Sequence, residues 1–263
     1  MRGGSERGFS IFGRSERLSI RLIQVIGVTS FLAAWQAFGA SAPYLWSQPT
    51  RIVTELVRLA GRDLVQLTAA TLGSLVIGLV IALVAGVIIG FFHGRYRTFR
   101  IMFDPYFAGF YSIPRVALVP LMIIWFGIKR EFVVAAVVAA CTILIVFATT
   151  AGIRETLRAY DEVSRSWSIS GWRKFRDVLL PGATPFIATG MRLAVQRGLV
   201  AVIVGEFLVG LQGLGALLRE ARTESLVDLM FATALVCMVL GLVLSTLTSA
   251  VERRFSRWRP QTF

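Results

Sequence analysis

An all-α membrane protein with about six transmembrane helices is the fold class this sequence predicts, on three observations. Hydrophobic residues make up 56% of the chain and charged residues only 16%, whereas a soluble domain carries about 45–50% apolar and about 25% charged residues. The apolar residues fall into runs of about 20, the length of a helix that crosses a bilayer. Most of the 28 Lys and Arg gather at the ends of those runs, where basic residues set the orientation of a membrane protein.

Residues 1–19 form a polar N-terminal tail carrying Arg2, Arg7, Arg14 and Arg17. The run over 20–40 is long enough for a retained first span and longer than the core of a cleaved signal. Pro43 to Thr50 reads as a loop with interfacial aromatics, and Thr50 is placed to cap a short amphipathic surface helix. There Ile52, Val53, Leu56, Val57 and Leu59 lie near one face, with Arg51, Glu55 and Arg58 off it.

The second span, 67–92, contains Gly73, Gly78, Gly86 and Gly90, small residues that let helices approach closely in lipid. A basic turn at 93–100 follows. The third span, 101–126, is interrupted by Pro105, Pro114 and Pro120. Backbone groups freed by such breaks need protein or water around them, so this segment is expected to face a pathway.

The fourth span is 132–150, and the interior's longest polar stretch, 151–185, follows it. Its mixed charges and interleaved Trp167, Trp172 and Phe175 argue for a folded, partner-facing loop. Spans at 186–208 and 229–250 flank a Gly-rich turn at Gly210, Gly213 and Gly215, and residues 251–263 form a basic tail.

Six spans place both termini on one side, and basic residues choose that side. Segments 1–21, 93–100, 151–185 and 251–263 hold 5, 3, 6 and 4 Lys or Arg, 18 in all. Segments 41–66, 127–131 and 209–227 hold 3, 2 and 2, or 7. Both termini and the 151–185 loop are therefore expected in the cytoplasm. The net charge of +13 is a membrane pattern and not a nucleic-acid patch, because it sits at span ends.

Catalytic and metal chemistry find little support. Cys141 and Cys237 lie in separate apolar runs with no ligand spacing, and the single His93 has no second histidine or carboxylate cluster beside it. No G-x-x-x-x-G-K-[ST] phosphate loop occurs, so any ATP-driven step must draw on another subunit. No metal or cofactor is expected on this chain. An intramembrane enzyme lacks a catalytic set, and an ion-coupled secondary carrier lacks a visible internal repeat.

The polar loop carries Glu162-Val163-Ser164, Ser168, Gly171 and Val178-Leu179-Leu180-Pro181. Here the sequence resembles the inner-membrane permease subunits of bacterial binding-protein-dependent ABC importers, whose loop follows E-A-A, three residues, G, nine residues, I-x-L-P. Val163-Ser164 stands where the family has Ala-Ala, and Ser168 where it has Gly. Gly171 is placed to take over the chain reversal that Ser168 accommodates less easily.

A second stretch, Ile113-Pro114-Arg115-Val116-Ala117-Leu118-Val119-Pro120-Leu121 with Ile124-Trp125-Phe126-Gly127, resembles the third-span signature of nitrate/sulfonate/taurine-type permeases. Gln48-Pro49-Thr50, Gly190-Met191-Arg192-Leu193-Ala194, Val204-Gly205-Glu206-Phe207 and Gly213-Leu214-Gly215 extend the similarity over about residues 25–250.

The resemblance implies a type I ABC importer permease fold in the bacterial inner membrane. It implies a second copy of the permease, two ATP-binding subunits that use ATP and Mg, and a periplasmic or lipid-anchored solute-binding protein. It places the ATPase-coupling loop at Asp161, Glu162, Arg165, Ser168, Gly171 and Pro181. The expected cargo is a small anion such as a sulfonate, taurine or nitrate; an aromatic acid or a neutral vitamin precursor is the alternative.

Ionisable groups inside spans are costly and mark pathways or ion pairs. Pro114, Arg115, Pro120, Arg197 and Glu206 are therefore the path or gate candidates, with Arg115 and Arg197 attracting an anion and Glu206 tethering an outer gate. The alternative for these groups is a structural ion-pair network or snorkelling ends, which suits Arg192 best.

Overall fold

The computed structural model describes residues 14–61, 63–114, 118–166 and 171–255, with side chains from residue 22 onward and not at 161–166. The described chain is helical nearly throughout. Its elements are α1 (Arg14–Ser41), α2 (Pro49–Ala60), α3 (Leu64–Arg95), α4 (Arg97–Ser112), α5 (Val119–Phe126), α6 (Arg130–Ser166), α7 (Gly171–Lys174), a π segment (Phe175–Leu179), α8 (Leu180–Val209), α9 (Leu214–Thr223) and α10 (Val227–Phe255). Five of the described helical stretches are long and apolar enough to cross a membrane: Leu22–Ser41, Leu64–Arg95, Arg130–Tyr160, Gly171–Val209 and Val227–Phe255.

The core is made by α3, α6 and α8, and small residues decide how they meet. A Cβ on Gly78, Gly86 or Gly90 of α3 would come within 2.6–2.7 Å of the side chains of Val137, Ile145 and Thr149 on α6. Each of these contacts joins residues 59 apart, and Gly94 meets Ile153 at the same offset. Helices α3 and α6 therefore run parallel, ridge to groove, along a stripe that repeats every four residues.

Helix α8 runs the other way. Gly152 of α6 lies against Ala183 and Phe186, and Gly198 of α8 against Cys141, so numbers rise on one helix as they fall on the other. Leu75, Val137, Ile145 and Val202 fill the space between the three helices, each no more than 1% exposed. Helix α10 is antiparallel to α8, joined by Thr189–Glu252 and Gln196–Ser245 hydrogen bonds of 2.6 and 3.2 Å.

Parallel α3 and α6 impose a return passage between them. Arg95 and Arg130 lie at opposite ends of the bundle, and only α4 and α5 connect them. Their 16 and 8 residues supply about 36 Å of helix at about 1.5 Å per residue. The stretch expected as one span over 101–126 is thus two helices, α4 ending at Ser112 and α5 beginning at Val119. Pro105 lies inside α4 without ending it, whereas Pro114 follows an extended Ile113 and Pro120 sits in the first turn of α5. A proline restricts its predecessor to extended backbone, so the break falls before Pro114.

Two further boundaries differ from the sequence reading. Gln48, and not Thr50, is the N-cap of α2, because Pro49 opens the helix with its fixed φ and missing N–H. Thr50 Oγ1 instead accepts from Gln36 Nε2 at 3.1 Å, tying α2 to α1. The polar stretch 151–185 is not a loop in its first half, since α6 continues to Ser166. Arg154, Glu155 and Arg158 extend the helix past its apolar part because such residues are good helix formers.

Helices α2, α9 and the start of α10 gather at one end. Ile52, Leu59, Ala221, Leu229 and Ala232 form a small buried cluster there, and Ser47 Oγ donates to Asp228 Oδ1 at 2.6 Å. Trp35 of α1 packs on Phe231 with centroids 6.1 Å apart. Most of α1 is otherwise exposed, including Ile23, Phe31 and Phe38.

Candidate functional site

At the end of the bundle shared by α9 and the start of α3, Glu206 is 2% exposed. Thr71 Oγ1 donates to its Oε2 at 2.9 Å, and the Gly215 N–H donates to the same oxygen at 3.0 Å. The Leu214 N–H in turn donates to Thr71 Oγ1 at 2.9 Å. Glu206 therefore sits at the N-terminus of α9, where free N–H groups and the helix dipole favour a carboxylate.

The loop between α8 and α9 is shaped around that carboxylate. Gly210 has φ +70° and Gly213 φ +112°, both left-handed values that glycine adopts without a Cβ penalty. A Cβ on Gly213 would strike the Glu206 carboxylate itself. Ser74, Arg130, Gln212 and Glu206 line a cavity of about 320 Å³ beside it. Arg130 Nε donates to Ser74 Oγ at 3.1 Å, and its Nη2 occupies space that Gly73 leaves open. Arg130 reads in the sequence only as an orientation charge at the start of a span; no local pattern signals its place beside Glu206.

A cavity of about 180 Å³ lies between α5, α6 and α8, and Arg197 beside it is exposed. Arg197 lies on its wall with Met122, Phe132, Ala139 and Val204. It makes no ion pair with any described residue, and the other lining groups are apolar. A larger groove of about 810 Å³ lies between α3, α6 and the broken α4–α5 pair, lined by Ile81, Phe110, Trp125, Val134 and Ala135 among others. Pro114 and Pro120 are exposed beside the break. Arg115 lies outside the described residues.

Arg192 takes the structural role that suits it best. Its Nε lies 2.8 Å from Glu252 Oε2, and Thr189 Oγ1 donates to the other carboxylate oxygen at 2.6 Å. The Arg192 N–H does not point along the contact, so the pair is a charge contact rather than an aligned hydrogen bond.

The opposite end of the bundle carries the segment expected to couple to a partner. Asp161, Glu162 and Arg165 fall on the last turns of α6, and their side chains lie outside the described residues, as does Ser168. Gly171 has φ +58° at the start of α7, the backbone a reversal into α7 requires. Pro181 stands in the first turn of α8, and Gly182 packs directly on Thr156 of α6.

His93, assigned no role by the sequence, is a buried junction at this end. Its Nε2 lies 2.9 Å from Asp104 Oδ1 of α4, and its Nδ1 lies 3.2 Å from Thr150 Oγ1 of α6. The sequence signal is an isolated histidine ending an apolar run, with an aspartate 11 residues on; spacing alone does not join them.

Residues 78–257 match the family model described as the binding-protein-dependent transport system inner membrane component, and the chain belongs to that family. It is a permease subunit of an ATP-binding-cassette importer, resident in the inner membrane, and ATP hydrolysis belongs to partner subunits. ATP-binding subunits and a solute-binding protein are the partners that membership implies. The chain is 32% identical over 237 residues to the riboflavin transport system permease protein of Chloroflexus aurantiacus, covering 86% of each chain. It is 26% identical over 223 residues to the taurine transport system permease protein of Escherichia coli (strain K12), covering 82% of this chain and 81% of that one. The fold resembles a chain of the methionine ABC transporter solved in inward-facing conformations, with TM-score 0.58 at 19% identity over 71% of this chain and 91% of that one.

Proposed function

We propose that this chain lines the import path of a small organic solute that carries an anionic sulfonate group, such as taurine, and that Arg197 is the charge that draws that group into the membrane. The observation that carries this is the setting of Arg197: an exposed arginine beside an otherwise apolar cavity, with no ion pair among the described residues. A cation held in an apolar span is costly unless something uses its charge. Arg115, next to Pro114, is the second candidate, with Pro114 and Pro120 as the path residues on either side of it. The similarity to a taurine transport permease supports the cargo class.

Glu206 is the tether of the outer gate in this reading, because its carboxylate joins α3, α8 and α9 through Thr71 and Gly215. Asp161, Glu162, Arg165, Ser168, Gly171 and Pro181 form the coupling segment. Two ATP-binding subunits dock there, on two copies of this chain that face each other across one path, and a solute-binding protein delivers cargo at the other end. The basic residues at 1–21, 151–185 and 251–263 support a cytoplasmic position for both termini and the coupling segment.

Import by proteoliposomes holding the complete importer tests the cargo reading, with taurine as the probe. Arg197→Ala and Arg115→Ala each lower the uptake rate at least tenfold at unchanged permease level. Wild-type uptake by both variants rejects the anion path. Uptake of riboflavin but not taurine by the unsubstituted importer transfers the reading to a neutral cargo, in line with the other relative.

A further inference from the structure

The end of the bundle that carries the coupling segment is unusually rich in rings that touch. Trp172 on α7 packs on Phe175 with centroids 4.9 Å apart, and Phe175 meets Phe91 of α3 edge to face at 4.7 Å. Phe91 and Phe92 are 5.5 Å apart, Phe92 and Phe99 of α4 6.2 Å, and Phe99 and Phe103 4.4 Å. Every step lies within the range of about 4.5–7 Å, or at its lower edge, where aromatic pairs attract beyond simple burial. Adjacent residues on a helix point about 100° apart, so Phe91 faces the π segment while Phe92 faces α4. The inner end of α3 thus stands as a strut between the two.

From this geometry we infer that Phe175, Phe91 and Phe92 are positioning residues that pass movement of the coupling segment to α4, and so to its far end at Ser112. The inference rests on the proposed docking of ATP-binding subunits on this segment. Three features support it. Leu179 and Ala183, which follow Phe175, are buried with Ile153 of α6, and Phe91 packs on that cluster, so the route passes through close-packed side chains that move together. The π segment holds an extra residue per turn where Phe175 projects, and such segments collect at functional positions. His93 fixes α4 to α3 and α6 through Asp104 and Thr150, so a push delivered at Phe99 turns α4 about a held point instead of sliding it away.

Packed contiguity alone does not establish coupling, so the test reads movement at the far end. Gly109 of α4 is exposed, and a side chain there meets nothing within 4 Å, which makes Gly109→Cys a silent reporter. In the complete importer, addition of ATP and Mg changes the labelling rate of this reporter thiol by a membrane-impermeant maleimide at least threefold. The same complex without the reporter supplies the background from Cys141 and Cys237. Phe175→Ala and Phe91→Ala abolish that change, and Phe175→Tyr, which keeps the ring, preserves it.

A change that persists in Phe175→Ala or Phe91→Ala overturns the relay, as does an otherwise unsubstituted importer whose Gly109→Cys reporter never responds. Where an alanine variant fails to assemble, Phe91→Leu, which fills the space without a ring, decides: loss of the response supports the relay and retention overturns it. Arg173→Cys, exposed on α7, reports docking independently through cross-linking to the ATP-binding subunit. A lost cross-link with the ring-dependent reporter response intact rejects the docking position and keeps the relay.

Discussion

Glu206 shows how one buried group organises its surroundings. Its carboxylate accepts the Thr71 hydroxyl and the Gly215 N–H, and both donors are closed off from water. Glu206→Ala leaves two buried donors without partners, each costing about 1–3 kcal/mol. We expect it to destabilise the purified permease by about 2–4 kcal/mol, read as a lowered thermal midpoint in detergent. Glu206→Gln keeps one acceptor oxygen and should lose less than half as much. An unchanged midpoint for Glu206→Ala would show that the carboxylate does not hold the loop. Glu206 and the glycines after it stand out in the sequence as a charge inside an apolar run followed by a turn. Arg130 and His93 do not, because their partners Ser74, Asp104 and Thr150 lie on other helices.

Among the elements, α3 and α6 form the frame, and their contact depends on absent side chains. Lipid tails give no hydrophobic drive to join two helices, so close backbone approach and packing carry the association. Gly90→Leu drives a side chain into Thr149 and the Val146 carbonyl. Overpacking of this kind costs about 1–3 kcal/mol or more, and the variant is expected to lower the yield of monodisperse permease severalfold by size-exclusion chromatography. Gly109→Leu, on an open face of α4, serves as the comparison and should leave the yield unchanged; equal losses for the two would remove the packing argument. Gly78, Gly86 and Gly90 could be read as packing residues from their type and spacing. Their partner helix, and that it runs parallel, could not, since spacing on one helix carries no register for another.

On the scale of the whole molecule, direction is the open quantity that charge and geometry address together. Parallel α3 and α6 require α4 and α5 to return the chain through the bundle, which places the far ends of α6 and α10 and the start of α7 together. The arginine distribution predicts that this end faces the cytoplasm. Cysteines introduced singly at Tyr44 and Trp172, exposed at opposite ends, should label differently in intact cells: position 44 reacts with an impermeant maleimide from outside, and position 172 only after permeabilisation. The reverse pattern would invert the topology and remove the coupling segment from reach of ATP.

The sequence by itself determined that this is a helical membrane protein, where its apolar runs begin and end, and which loop and broken span mark it as an importer permease. Those are local properties: run length, charge at run ends and the spacing of Glu162, Val178, Leu180 and Pro181 along one chain. Only the tertiary structure decided that the third apolar stretch is two helices, that α6 continues through half of the expected loop, and that Glu206, His93 and the ring series from Trp172 to Phe103 make contacts between helices. Such contacts depend on the relative register and direction of helices far apart in the chain, which close packing of small residues sets.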